Sequence, residues 1–215
     1  MLFSGGRDST LAALRLSKAN YNLILVTVTT DHLFGIEDVQ KRLYELKQIL
    51  PKDTEWFWIK QPMDLLTDVS FYAPTCLPCH HSYVIAGTII SDTINCENIA
   101  FGYTYYQSSW PEQTPLATKE LGDLLLSFDK RLILPVYGLQ SLNDARSELR
   151  VNGLSDASLE QKCFRQVNNV ALDEVTLRKE ITLWTTAMEK TLSQRASILL
   201  HINKRCYINS FAEDS

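Results

Sequence analysis

Residues 2–10 read LFSGGRDST. A short apolar start runs into Ser4-Gly5-Gly6, then a charged pair, then Ser9-Thr10 and the leucine-rich run STLAALRLSK of residues 9–18. The pattern predicts a strand, a tight turn of small residues, and a helix. Such a turn presents free backbone N–H groups at the positive end of a helix dipole. Glycines allow the backbone to approach a phosphate closely, Ser4, Ser9 and Thr10 add hydroxyl donors, and Asp8 is placed to hold a magnesium ion or orient a nucleotide. The first strand, MLF, is very short. Either the sheet begins with a stub or the natural start lies upstream.

The remainder alternates strand and helix signals. Residues 22–29, NLILVTVT, are apolar and β-branched like a buried strand. Val39, Leu43, Leu46 and Leu50 recur at helical spacing over 36–50. Trp56 to Ile59 predict a short strand, 82–95 a helix, 98–103 a strand, 116–128 a helix, 131–136 a strand and 141–151 a helix. Strands alternating with helices imply a doubly wound α/β fold with a parallel sheet. Ligands in such sheets bind beyond the carboxyl ends of the strands, where the opening loop lies. Residues 171–200 read as helical and polar, a segment expected on the sheet's edge or as a lid.

The chain has 215 residues, 45% hydrophobic and 21% charged, with a formal net charge of -4. That balance is globular and suits one domain with an appendage. No basic excess advertises a broad nucleic-acid surface. No apolar run reaches the length of a membrane span, and no leader pattern opens the chain, so a cytoplasmic location is expected. In that compartment the five cysteines suggest metal, catalytic or core roles before disulfides.

The loop lacks the lysine-serine ending of the Walker motif and the spacing of the dinucleotide fingerprint. It resembles the SGG-x-DS loop of the PP-loop ATP pyrophosphatases. The resemblance implies an adenine nucleotide alpha hydrolase-like, Rossmann-like fold. It also implies ATP bound with Mg2+ and cleaved between the α and β phosphates, leaving an adenylated substrate and pyrophosphate. Ser4, Gly5, Gly6, Asp8, Ser9 and Thr10 would grip the phosphates, with Asp8 and Ser9 catalytic. Thr30 and Asp31, after the second strand, would meet the adenine or ribose. Residues 1–170 would form the nucleotide-binding domain and 171–215 a helical C-terminal extension of it.

Two further stretches narrow the expectation. GYTYYQSSWPEQTP, residues 102–115, and LILPVYGLQSLNDARSELRVNGL, residues 132–154, resemble segments of the 7-cyano-7-deazaguanine synthases. That likeness implies a carboxylated deazaguanine adenylated for transfer to ammonia or another amine, including one on a partner protein. Trp110 would stack on the flat base, and Glu112 and Gln113 would read its edge. The synthases end in four cysteines that bind zinc; only Cys163 stands near the matching place, and the acidic residue expected beside Gln107 is missing.

Residues 74–81 read PTCLPCHH. Cys76 and Cys79, with the distant Cys163, resemble the cysteine region of tRNA thiolation enzymes of the same superfamily. Thiolates so spaced can share a zinc ion or an iron–sulfur cluster, or carry persulfide sulfur. His80, His81, Cys206 or solvent would complete a metal shell. The alternative function is therefore tRNA sulfur transfer, with tRNA as partner. Cys96, Trp56, Trp58 and Trp184 read as core residues, Cys206 as a free thiol, His201 as a packed or surface residue of a late helix, and Glu213-Asp214 as a solvated tail. A homodimer is compatible with the sequence.

Overall fold

The computed structural model describes residues 1–61, 75–164 and 170–211. The acidic tail, Glu213-Asp214, lies outside them. Among these residues six α-helices and seven strands follow in chain order. They are α1 (Arg7–Lys18), β1 (Ile24–Thr29), β2 (Leu33–Phe34), α2 (Ile36–Leu46), β3 (Glu55–Lys60), α3 (Leu77–Thr93) and β4 (Asn98–Ala100). Then come α4 (Pro115–Leu126), β5 (Arg131–Ile133), α5 (Leu142–Val151), β6 (Lys162–Cys163), α6 (Glu174–Ser193) and β7 (His201–Tyr207).

The three-residue start is a central strand of the sheet. Phe3 N–H donates to Val26 O and Val26 N–H to Met1 O, which ties the stub to β1. On its other side Leu2 N–H donates to Ala100 O at the end of β4. β1 pairs in parallel with β3, and β4 with β5. The hydrogen-bonded order is therefore β7, β3, β1, the stub, β4, β5. The stub needs no length of its own because backbone partners on both sides satisfy its polar groups.

Alternation along the strands splits the apolar side chains between two faces. Phe3, Leu25 and Trp56 pack with α1, α2 and α5 through Leu11, Leu14, Leu43, Leu46 and Leu149. Leu2, Val26, Val28, Phe57 and Ile59 pack on the other face with α3, α4 and α6 through Val84, Ile90, Leu121, Leu125 and Trp184. The chain thus leaves the stub toward one face and β4 toward the other. This divergence is the topological switch point where ligands bind in such sheets.

The C-terminal segment differs from expectation. α6 lies neither on the sheet's edge nor as a lid. It covers α3 and α4, burying Ile181, Trp184, Met188 and Leu192, and Trp184 Nε1–H donates to Leu77 O at 3.0 Å. The sheet's edge is instead β7, antiparallel to β3, so the extension is helix followed by strand. His201 sits in that strand opposite Lys60, not in a helix. β7 is exposed on nearly every residue, so it carries none of the apolar alternation that announces a strand. α3 also begins earlier than expected, at Leu77, because Pro78 falls in its first turn, where a missing N–H costs nothing. Among the described residues no helix is long and apolar enough to cross a membrane.

Candidate active site

The opening loop closes on itself before it meets anything else. Gly5 adopts φ +81°, the left-handed region that favours glycine, and a Cβ there would run into the Leu159 carbonyl oxygen. Gly6 caps α1 without a side-chain bond, so the first turn of the helix lacks a side-chain cap. Ser4 and Ser9 hydroxyls lie 3.0 Å apart, Gly6 N–H donates to Ser4 Oγ at 3.2 Å, and Ser9 Oγ donates to Gly6 O at 3.1 Å. The result is a ring of small polar groups around a helix N-terminus.

The loop is pinned from two sides. Gly102, at the end of β4, lies so close that a Cβ there would come within 2.6 Å of Ser9 N. From the other side the fully buried Arg42 of α2 donates to Gly5 O at 3.3 Å, to Ser155 O at 2.8 Å and to Ala157 O at 2.6 Å, and pairs with Glu45. Arg42 thereby clips the 155–160 segment over the loop. A lysine has one ammonium and cannot satisfy carbonyls spread around a planar fork. Arg42→Lys should lower stability by about 3 kcal/mol, because acceptors and charge stay buried without their partners. A denaturant midpoint within error of wild type would contradict this role.

Above the loop opens a cavity of about 500 Å³, within the range of small-molecule sites. Ser4, Gly6, Arg7, Asp8 and Ser9 of the loop line it, together with Trp110, Gln113, Thr27, Val28, His80, Tyr103, Tyr106 and Glu160. Of the residues expected at the site, six therefore share this cavity: Ser4, Gly6, Asp8, Ser9, Trp110 and Gln113.

The others are placed differently. Gly5 sits beneath the cradle, where its backbone shapes the turn. Thr10 is fully buried and donates its hydroxyl to Gly6 O at 2.7 Å, so it tightens the turn from below. Thr30 is buried against His32, and Asp31 is exposed and faces Lys60 at 3.3 Å. Neither lines the cavity; β1 reaches it through Val26, Thr27 and Val28. Gln113 spends its amide inside the loop, accepting from Thr104 N–H at 2.9 Å and donating to Gln107 at 3.0 Å. Glu112 is turned away from the cavity and is 1% exposed, with Oε1 3.6 Å from His80 Nε2.

Asp8 stands out electrostatically. Burial raises its carboxyl to about 6, Glu160 adds to the shift, and hydrogen bonds from Tyr106 and the charge of Arg7 oppose it. Tyr106 O–H lies 2.6 and 2.8 Å from the two carboxyl oxygens. A perturbed carboxyl at a helix N-terminus in a cavity is a candidate functional group.

Cys76, Cys79 and Cys163 do not form a metal-ligand set. Among the described residues no group of three or more His, Cys, Asp or Glu side chains is arranged to hold a metal ion. Burial foremost, with Glu112 and the other two thiols contributing, pushes Cys76 up to about 12, so it stands as a neutral thiol. Cys79 instead meets His32, Nε2 to Sγ 3.3 Å, and Cys163 pairs with Leu33 along β2 and β6. Cys206 lies on β7 opposite Trp56.

Tyr106, Glu160, Arg42 and His32 were not singled out from the sequence, and His80 only as a residue that would complete a metal shell. Each comes from a distant part of the chain; Tyr106 stands in the GYTYYQSSWPEQTP stretch and His80 in PTCLPCHH, whereas Glu160, Arg42 and His32 carry no local motif.

The sheet order, the switch point and the glycine turn define a doubly wound α/β fold of the adenine nucleotide alpha hydrolase-like kind. Among solved structures, the crystal structure of a 4-thiouridine synthetase–RNA complex with bound ATP matches with a TM-score of 0.51 and 17% identity. The match covers 94% of this chain and 54% of the synthetase chain, so the chain spans about half that protein's length. No protein-family profile and no curated protein sequence matches the chain.

Proposed function

We propose that this chain is an ATP-dependent enzyme of the PP-loop type. In this reading it adenylates a carboxylate or amide of a deazaguanine-like base and releases pyrophosphate. The activated group then passes to ammonia or another amine, including one on a partner protein. The observation that carries it is the Ser4–Ser9 ring at the N-terminus of α1, facing a cavity at the switch point. Backbone N–H groups and a helix dipole at that place suit the terminal phosphates of ATP. Asp8, with its carboxyl at the same mouth, would hold the magnesium ion that neutralises them. The solved ATP-bound neighbour supports nucleotide binding on this fold. Trp110 supplies an aromatic wall for a flat base.

The test is mass spectrometry of small molecules and protein after incubation with ATP, Mg2+ and a carboxylated deazaguanine. AMP, pyrophosphate and an amidated product are expected. ADP and phosphate as the only nucleotide products would refute cleavage between the α and β phosphates.

A second reading, tRNA sulfur transfer, draws on two observations. The solved neighbour is a 4-thiouridine synthetase bound to RNA. Burial foremost, with smaller contributions from Cys79, Cys76 and Cys163, raises the phenol of the cavity-lining Tyr83 well above the usual range, so the three cysteines lie around one wall residue of the cavity. Tight binding of unmodified tRNA, with loss of thiolation in a Cys79→Ser variant, would favour this reading. The formal charge of -4 favours the small-base reading.

A further inference from the structure

We propose that Glu112, His80 and Tyr103 form a proton relay that opens into the cavity and takes up the proton shed by the attacking amine. The inference rests on the adenylation reading and gives roles to three residues outside the phosphate cradle.

The geometry is a chain of three groups. Tyr103 and His80 line the cavity, and Tyr103 O–H lies 2.6 Å from His80 Nδ1. On the far side of the ring, His80 Nε2 faces Glu112 Oε1 at 3.6 Å. Glu112 lies behind both, and its Oε2 has no hydrogen-bond partner among the described residues. A buried carboxylate without a full set of partners is costly, and natural cores rarely tolerate one. The arrangement is poorly satisfied while the ring is neutral. It becomes well matched once the ring carries a proton, because the carboxylate then faces an imidazolium. Burial opposes that charge and Glu112 supports it, and the balance leaves the His80 pKa below the ordinary histidine value. Nδ1, 2.6 Å from the Tyr103 oxygen, is the ring atom placed to accept.

The order of hydrogen bonds follows from the chemistry. Glu112, at 3.6 Å, acts on Nε2 through its charge rather than a hydrogen bond and favours the Nε2–H tautomer, which leaves the Nδ1 lone pair to accept from the tyrosine hydroxyl. In the transfer step the amine nitrogen bonds to the activated carbonyl carbon. The C–O bond to AMP breaks, and AMP leaves with the electron pair. The nitrogen's surplus proton passes to the Tyr103 oxygen as the tyrosine proton passes to His80 Nδ1. The imidazolium is held against Glu112 until it releases the proton to solvent when the product leaves. A tyrosinate never forms, in keeping with a Tyr103 phenol that burial and Glu112 hold well above the usual range. Positioned acid–base groups of this kind contribute about 10²–10⁴-fold.

The full chain is assayed for two half-reactions with carboxylated deazaguanine as the probe: ATP–pyrophosphate exchange, and amide formation from ammonia. Tyr103→Phe keeps the ring and removes the hydroxyl. It should lower amide formation on the order of 100-fold, with exchange falling by less than a tenth of that factor. Hydroxylamine, a stronger nucleophile at neutral pH, should recover much of the loss. Glu112→Gln should lower transfer in the same selective way. Histidine ¹⁵N spectra of the wild type should show a neutral His80 ring in the Nε2–H form, a readout independent of turnover and of variant folding. Equal loss of both half-reactions in Tyr103→Phe, transfer within twofold of wild type, or a Nδ1–H ring would overturn the relay while leaving adenylation standing. Absence of pyrophosphate exchange in the wild type would overturn the adenylation reading, and the relay with it.

Discussion

Asp8→Asn is expected to stabilise the free protein at neutral pH while abolishing pyrophosphate release. The two effects have one cause. The unfolded carboxyl titrates near 3.8, whereas burial raises the folded one to about 6. Between those values the unfolded chain gives up its proton and the folded chain keeps it. Stability is therefore highest below about pH 4, erodes as pH rises through the window, and levels off above about 6. Two pKa units correspond to about 3 kcal/mol; solvent at the half-buried group reduces this to roughly 2 kcal/mol. An amide does not ionise, so the variant escapes the penalty and can still accept from Tyr106. It should melt about 4–8 °C higher than wild type at pH 7.5, with the difference vanishing near pH 4. It also loses the charge meant for the magnesium ion, and pyrophosphate release should fall on the order of 10²–10³-fold. Thermal unfolding across pH, paired with a pyrophosphate assay, checks both. An asparagine variant with the wild-type pH profile, or with near wild-type release, would remove Asp8 from the site.

Gly102→Ala should be a strongly damaging single-methyl change, acting through the loop that it braces. The added carbon would lie 2.6 Å from Ser9 N and 2.7 Å from Ser9 Cα, which are backbone atoms that cannot rotate aside. Either β4 or the first turn of α1 must move. Inserting a carbon into a closed joint costs about 1–3 kcal/mol, and the backbone contact puts this case near 3. The displaced turn is also the phosphate cradle, so ATP affinity should fall at least tenfold in calorimetry. Gly138→Ala is the matched control, since a Cβ there meets nothing within 4 Å. It should stay within about 0.5 kcal/mol of wild type. Similar behaviour of the two variants would mean that β4 does not brace the loop.

Much of the fold was legible because the signals are local. The β-branched run at Ile24–Thr29, the helical spacing of Val39, Leu43 and Leu46, and the glycines at 5 and 6 each depend on neighbours within a few residues. Such patterns survive in one dimension. β7 was not legible: exposed on both faces, it owes its conformation to hydrogen bonds with β3, about 145 residues earlier in the chain. Glu112 shows the same limit at the site. As an acidic residue beside Trp110 it reads as a group facing a ligand, yet packing against His80 buries it. The three cysteines fit a metal-ligand spacing, but spacing cannot show that Cys79 turns to His32 while Cys163 joins a strand.

The sequence by itself determined the strand–turn–helix opening, the alternating α/β order and the chemical types gathered in the turn. Backbone propensity, glycine geometry and hydrophobic period act over one or two turns of chain, so residue order alone sets them. Only the tertiary structure decided that the three-residue stub is central, between β1 and β4. It alone placed Tyr106 on Asp8 across 98 residues and Arg42 on the 155–157 carbonyls across 113 or more. It also decided which polar residues face the cavity and which lie behind it. Those contacts join parts of the chain whose proximity depends on strand pairing and on the closing of one core around both faces of the sheet.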